Sequence, residues 1–226
     1  MGKLFNAFFK EFMGASIMLK SRLQNLYRLI LCISLTFLVL SLNPVRAWAE
    51  PNIPNPAELA RAIEDIENLD AMRSGLASTL ERTQEEPTIQ TMKEICRPVG
   101  MRAAQLSQEN DWQVKQIAAK YRNPAHAPDN LHSKMALTKF EQNPKLIGFW
   151  ERETLNEQAG TRYYRRINVE ASCLVCHGAK DNRPQFVQDK YPQDLAYNFK
   201  VGDLRGMYAV FISDIQKALQ EATNQE

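Results

Sequence analysis

The sequence predicts an α+β protein: an antiparallel sheet with flanking helices and an N-terminal helical segment. Three observations carry that expectation. Apolar residues recur at spacings of three and four from Leu59 to Leu80. Two runs rich in aromatic and β-branched residues, "LIGFWERET" and "TRYYRRINVE", flank the polar "LNEQAG" as the strands of a hairpin. The order of elements lacks the regular strand–helix alternation that a parallel sheet requires.

At the N-terminus, Arg22 and Arg28 precede a charge-free apolar run, Leu29 to Leu42, and Ala47 and Ala49 offer small residues for cleavage. Residues 1–49 therefore read as a targeting segment with a signal peptide whose apolar region is 29–42. The alternative is a retained anchor, but the run is shorter than the roughly 20 apolar residues of a spanning helix. Met18 is as good a start as Met1, and Cys32 leaves with the signal. Cleavage removes six of the 28 basic and one of the 26 acidic residues, leaving 22 against 25, net −3. The overall +2 thus belongs to the targeting segment, and no nucleic-acid partner is expected. Membrane association is expected only if that segment is retained.

Residues 50–226 read as one domain. Asn55 and Pro56 open a helix carrying Leu59, Ile63, Ile66, Leu69, Met72, Leu76 and Leu80. A second helix begins near Pro87, carries Ile89, Met92, Ile95 and Cys96, and is expected to kink or break at Pro98. "DWQVKQIAAKYRNP" reads as a strand running into the turn-rich "RNPAHAPDN". Asp129 or Asn130 then caps a short helix with Leu131, Met135, Leu137 and Phe140, ended by Asn143 and Pro144. After the hairpin come a long loop from Gly178 to Asp203, a last strand Arg205 to Ser213 and a closing helix "DIQKALQEA". In the second hairpin strand Tyr163 and Tyr164 alternate faces, so one of them is expected to pack inward.

That strand leads into "SCLVCHGAK", where Cys173, Cys176 and His177 form C-x-x-C-H. In an exported chain this is the attachment signal of haem c: two thiols add to the two vinyl groups, and the adjacent histidine is the proximal iron ligand. A zinc site would need a second ligand pair, and Cys96, His126 and His132 show no such spacing. A thioredoxin-like pair has no use for the histidine. The expected cofactor is one covalently bound haem c.

Cys96 is then left without a partner in an oxidising compartment. It reads either as a small buried hydrophobe or as a thiolate ligand on the iron face opposite His177. His126 is a rival for that face, because neutral imidazole also binds haem iron. His132 reads as a partly exposed surface residue, and Met92, Met101 and Met207 as core. For the haem propionates the basic candidates are Arg122, Arg165 and Arg166, the alternative for each being a solvated face.

"EICRPVGMRAAQL", "WQVKQIAAKYRNPAHAPDN", "KFEQN", "RYYRRINVEASCLVCHG" and "VGDLRGMYAVFIS" together resemble the successive blocks of a family of exported haem domains. That family includes a stand-alone cyanobacterial c-type haem protein with a PAS-like fold and the haem sensor domains of bacterial signalling proteins. The resemblance covers residues 56–214. It implies a PAS-like antiparallel sheet, one covalent haem, His177 and Cys96 as axial ligands, and a thylakoid-lumen or periplasmic location. His126 departs from the asparagine more usual in that loop.

No triad, phosphate-binding glycine loop or carboxylate metal cluster is evident, so an enzyme is not expected. The expected function is a single-haem redox or small-gas (NO or CO) sensor that passes its signal to a protein partner. The alternative is an electron carrier docking with a membrane redox complex, and a peroxidase-like enzyme with an open iron site is a weaker third.

Overall fold

The structure, a computed structural model, describes residues 56–82 and 85–214. The expected targeting segment and the expected closing helix beyond Asp214 lie outside the described residues. Among the described residues no helix is long and apolar enough to cross a membrane.

Helix α1 (Pro56–Ser78) starts with proline at its first position, where the missing N–H costs nothing. Its buried stripe is Ala62, Ile66 and Leu69. Helix α2 (Ile89–Asn110) is capped by Thr88, whose hydroxyl accepts from the Gln90 and Thr91 amides. It ends at Asp111 in the left-handed conformation.

Helix α2 runs on through Pro98 rather than breaking there. An interior proline costs about 3 kcal/mol. Tertiary packing overrides that preference, because Val99, Ala103 and Leu106 beyond the proline are buried against α1 and the sheet. The half before it, residues 89–97, contributes instead to a cavity wall.

The sheet has four antiparallel strands, β1 (Gln113–Ile117), β2 (Gly148–Leu155), β3 (Gln158–Asn168) and β4 (Leu204–Ser213), in the order β1-β4-β3-β2. The architecture is α+β, an antiparallel sheet with flanking helices. The β2–β3 loop is only Asn156 and Glu157, both with positive φ (50° and 66°), so the strands extend into the expected six-residue turn. That is the two-residue hairpin turn whose twist matches the strands.

Helix α3 (Leu131–Gln142) is capped by Asn130, which accepts from the Ser133 amide at 2.8 Å. It buries Ala136, Leu137 and Phe140, while Leu131 and Met135 face solvent.

Helices cover both faces of the sheet, which changes the reading of the tyrosine pair. Tyr163 packs with Ile66, Leu69 and Leu106 on the α1/α2 face, and Tyr164 with Phe140 on the α3 face. Both are buried, so alternation separates two cores rather than a core from water. Met207 belongs to the second core.

The second core also holds a charged group. Arg162, fully buried, donates to Glu153 at 3.0 Å and Asp129 at 2.9 Å, and the Tyr164 hydroxyl donates to Glu153 at 2.6 Å. Every acid there has its donor, as a buried network demands.

From Gly178 to Asp203 the chain is less irregular than expected. It contains a helical turn at Lys180–Asn182 and the short helix α5 (Gln185–Lys190), which packs Val187 inward, and Ala196 further along is buried as well.

Candidate functional site

C-x-x-C-H lies where β3 runs out. Ala171–Cys173 form one turn and helix α4 (Leu174–His177) follows it, so the two thiols and the imidazole come from consecutive helical turns. Gly178 closes this helix with its N–H on the Leu174 carbonyl at 2.8 Å. A side chain there would put Cβ 2.6 Å from that same oxygen.

Cys173, Cys176 and His177 line a cavity of about 620 Å³ at the end of the sheet where β1 and β3 finish and β4 begins. That volume is within the roughly 300–1,000 Å³ of small-molecule and cofactor sites. Cys96 lines it from helix α2, and its exposed surface is part of that wall. His126 lines it from the turn Pro124–His126. The cavity thus gathers every cysteine of the described residues and two of the three histidines. His132 lies elsewhere, on helix α3 beside Glu151 at 3.9 Å. Met92 and Met101 are cavity-wall residues rather than core.

His177 Nδ1 lies 2.8 Å from the Ala196 carbonyl oxygen. A carbonyl only accepts, so Nδ1 carries the proton and Nε2 keeps its lone pair. Arg122 Nη2 also approaches Nδ1, at 3.3 Å, but two donors make no hydrogen bond. The bond from that nitrogen goes to the Cys176 carbonyl at 2.7 Å. Burial, with the charges of Arg205 and Arg122, holds the imidazole pKa well below its ordinary value. A neutral ring with a fixed Nδ1–H is the form in which histidine ligates metal.

Burial pushes the Cys176 thiol up to about 11, with Arg122 opposing the shift. Burial raises the Cys96 thiol as well, while Arg122 and Arg205 act in favour of its thiolate.

The arginines sort themselves by partner. Arg122, from the loop after β1, shares Asp194 with Arg183 at 3.4 and 2.9 Å. Arg165 is held by Glu67 and Asp70 of helix α1, each at 2.8 Å. Arg166 points to the opposite face of the sheet, where it donates to the Phe140 carbonyl at 2.7 Å. Neither Arg165 nor Arg166 reaches the cavity.

Three cavity arginines, Arg73, Arg97 and Arg205, were not expected from the sequence. Arg73 of helix α1 is bound by Asp70 at 2.7 Å and Glu170 at 2.6 Å, and its Nη1 lies 3.9 Å from the Cys173 sulfur. Burial opposes its charge, but those carboxylates outweigh burial and raise its pKa.

Arg205 is the extra residue of a β-bulge: Ile167 pairs with Gly206 and Asn168 with Leu204, leaving Arg205 unpaired. A bulge re-aims a side chain, and this one faces the cavity. Its Nη1 donates to the Lys120 carbonyl at 3.2 Å, and its guanidinium lies 5.6 Å from the Phe199 ring, which meets His177 edge-on. Among the described residues no carboxylate forms an ion pair with it. Burial and the neighbouring Arg122 push its pKa down to about 10.

Ser172 Oγ, also on the cavity wall, is buried and has no hydrogen-bond partner among the described residues. The cavity walls carry arginines and lysine but no Asp or Glu. A flat, largely apolar group with carboxylates at its edge fits such walls, and haem is of that kind. Among the described residues no three His, Cys, Asp or Glu side chains cluster around a bare metal ion.

Residues 55–213 match the family described as Tll0287-like, Tll0287. The crystal structure of the cyanobacterial heme-protein Tll0287 is similar at 53% sequence identity, covering 70% of this chain and 96% of that chain, with a TM-score of 0.64. No curated protein matches.

Proposed function

Because the chain belongs to the Tll0287-like family, we propose that this haem protein carries one covalent haem c and acts as an exported redox or small-gas sensor. The observation that carries the reading is that Cys173, Cys176, His177 and Cys96 line one and the same cavity.

Cys173 and Cys176 supply the thioether sulfurs, His177 Nε2 the proximal ligand, and Cys96 the distal thiolate. The haem supplies a one-electron iron centre. Arg205 supplies positive charge for a propionate, with Arg122 beside it and Ser172 as a hydroxyl donor. Arg73 and Glu170 steady the turn that presents Cys173: Glu170 accepts from Arg73 and from Ser74 at 2.7 Å, and its own amide approaches the Cys173 sulfur at 3.4 Å.

Thiolate donates charge to iron and favours the ferric state, which gives a low potential. With both axial positions filled, a gas binds only by displacing a ligand. That arrangement suits a sensor with a protein partner for output, in the thylakoid lumen or periplasm, and disfavours an enzyme.

An electron carrier is the second reading, and one observation favours it. The wall residues Cys96, Arg97, Gly100 and Met101 are solvent-exposed, which leaves one side of the cavity open for electron exchange.

Full-length protein produced with c-haem maturation tests the reading through ferric optical and EPR spectra. The expected result is a low-spin thiolate signature that disappears in Cys96→Ala. Haem should stay on the polypeptide in a denaturing gel and be lost from Cys173→Ala/Cys176→Ala. Unchanged spectra in Cys96→Ala would remove Cys96 as a ligand and favour the carrier.

A further inference from the structure

We infer that the cavity holds three ligating side chains for two axial positions, and that His126 replaces Cys96 when the iron is reduced. The inference rests on the His177/Cys96 reading of the ferric state.

The argument begins with the imidazole. His126 Nδ1 lies 2.9 Å from the Gln116 carbonyl oxygen, so Nδ1 carries the proton and Nε2 the free pair. His177 is set in the same way by the Ala196 carbonyl at 2.8 Å. Nε2 of His126 has no protein hydrogen-bond partner among the described residues. The backbone of His126 is fixed as well: its carbonyl accepts from the Ala118 amide at 2.9 Å, and its amide donates to Asn123 O at 2.9 Å. Gln116 and Ala118 are themselves cavity-wall residues. Side chain and backbone thus hold an imidazole whose Nε2 is the nitrogen left to ligate, in the cavity that Cys96 also lines.

The chemistry of the two ligands gives the exchange its direction. One added electron removes one unit of positive charge from the iron. That loss weakens its bond to an anionic thiolate more than its bond to a neutral imidazole. In the step, an external one-electron donor takes Fe(III) to Fe(II). The Fe–S bond to Cys96 breaks with its electron pair staying on sulfur, and the sulfur takes one proton from water to become a thiol. The His126 Nε2 pair forms the new bond, and His177 stays bound throughout. Oxidation reverses each part.

The consequence is mechanical. Cys96 belongs to helix α2 and His126 to the turn tied to β1, so the oxidation state selects which of these two elements the haem holds. A sensor needs a differential contact of this kind between its two states.

The test compares full-length wild type, His126→Asn and His126→Gln, each with haem attached. Ferric EPR is recorded first, then the optical spectrum after dithionite, then CO binding and cyclic voltammetry. The expected wild type has thiolate EPR when ferric and a six-coordinate, two-imidazole spectrum when ferrous. Its voltammetric peaks separate as the scan rate rises. Both variants keep the ferric signature, lose the ferrous two-imidazole spectrum, bind CO at least tenfold faster and show one reversible couple. Using both guards against a misfolded substitution, since retained ferric EPR reports an intact site.

A wild-type ferrous spectrum identical to that of both variants would overturn the exchange while leaving His177/Cys96 ligation standing. A wild-type ferric spectrum without the thiolate signature would overturn the ligation reading and the exchange together.

Discussion

His177 donates from Nδ1 to the carbonyl oxygen of Ala196 at 2.8 Å, and the amide of that same residue donates to Asp194 at 2.9 Å. Asp194 is buried and also receives Arg183 and Arg122. One carboxylate therefore holds the N–H of the residue whose carbonyl orients the imidazole.

Removing that carboxylate leaves two arginines short of a partner. Losing one member of a buried ion pair costs about 3–5 kcal/mol. We expect Asp194→Ala to lower the urea midpoint accordingly, with haem still attached through Cys173 and Cys176. A midpoint within error of wild type would show that the Arg122–Asp194–Arg183 cluster adds nothing to stability.

The same group sets an acid limit. Burial raises its pKa, but the Ala196 amide with Arg183 and Arg122 outweighs burial and holds it below the ordinary value. A depressed carboxyl stabilises the fold above the unfolded-state pKa, about 3.9, and that contribution is lost as pH falls through the lower folded value. The stability difference between wild type and Asp194→Asn should be constant from about pH 7 to 5 and shrink below about pH 4. Urea unfolding across that range measures it, and a difference unchanged down to about pH 3 would count against the assignment.

Arg205 brings positive charge to the cavity, and among the described residues no carboxylate forms an ion pair with it. Taking it away as Arg205→Leu favours Fe(III) and lowers the reduction potential. The loss of one positive charge from the cavity wall should lower the potential by an amount on the order of tens of millivolts for one electron. Potentiometry on the haem-loaded protein checks this, with Arg205→Lys expected to recover most of the shift.

Gly206 permits the bulge that aims Arg205. A Cβ there would sit 2.5 Å from the Ile117 carbonyl oxygen and 3.0 Å from the Ala118 Cβ. Gly206→Ala should cost about 1–3 kcal/mol by forcing the strands apart, read as a lower Tm. It should also move the potential in the same direction as Arg205→Leu, since the side chain loses its aim.

What was legible in the sequence was local. C-x-x-C-H needs only five consecutive residues, and a helical turn sets its geometry wherever it lies. The helix capped by Asn130 and the hairpin strands were equally readable, because capping and alternation act over a few residues. The family blocks along the chain pointed to the same α+β architecture.

Charge partners were not legible. Arg122, Arg165 and Arg166 look alike as sequence, yet Asp194 takes the first, Glu67 and Asp70 the second, and the opposite sheet face the third. Those partners lie 26 to 98 residues away. Arg205 was hidden for a different reason, because a bulge breaks the period of two by which strand faces are assigned.

The sequence by itself thus determined the C-x-x-C-H motif, the type of most elements and the family. Only the tertiary structure decided that both sheet faces are buried, that α2 continues past Pro98, and that Cys96 and His126 share the cavity of His177. Local patterns are set by backbone geometry over a few residues. Which charge is neutralised and which ligands converge depend on packing between segments far apart in the chain.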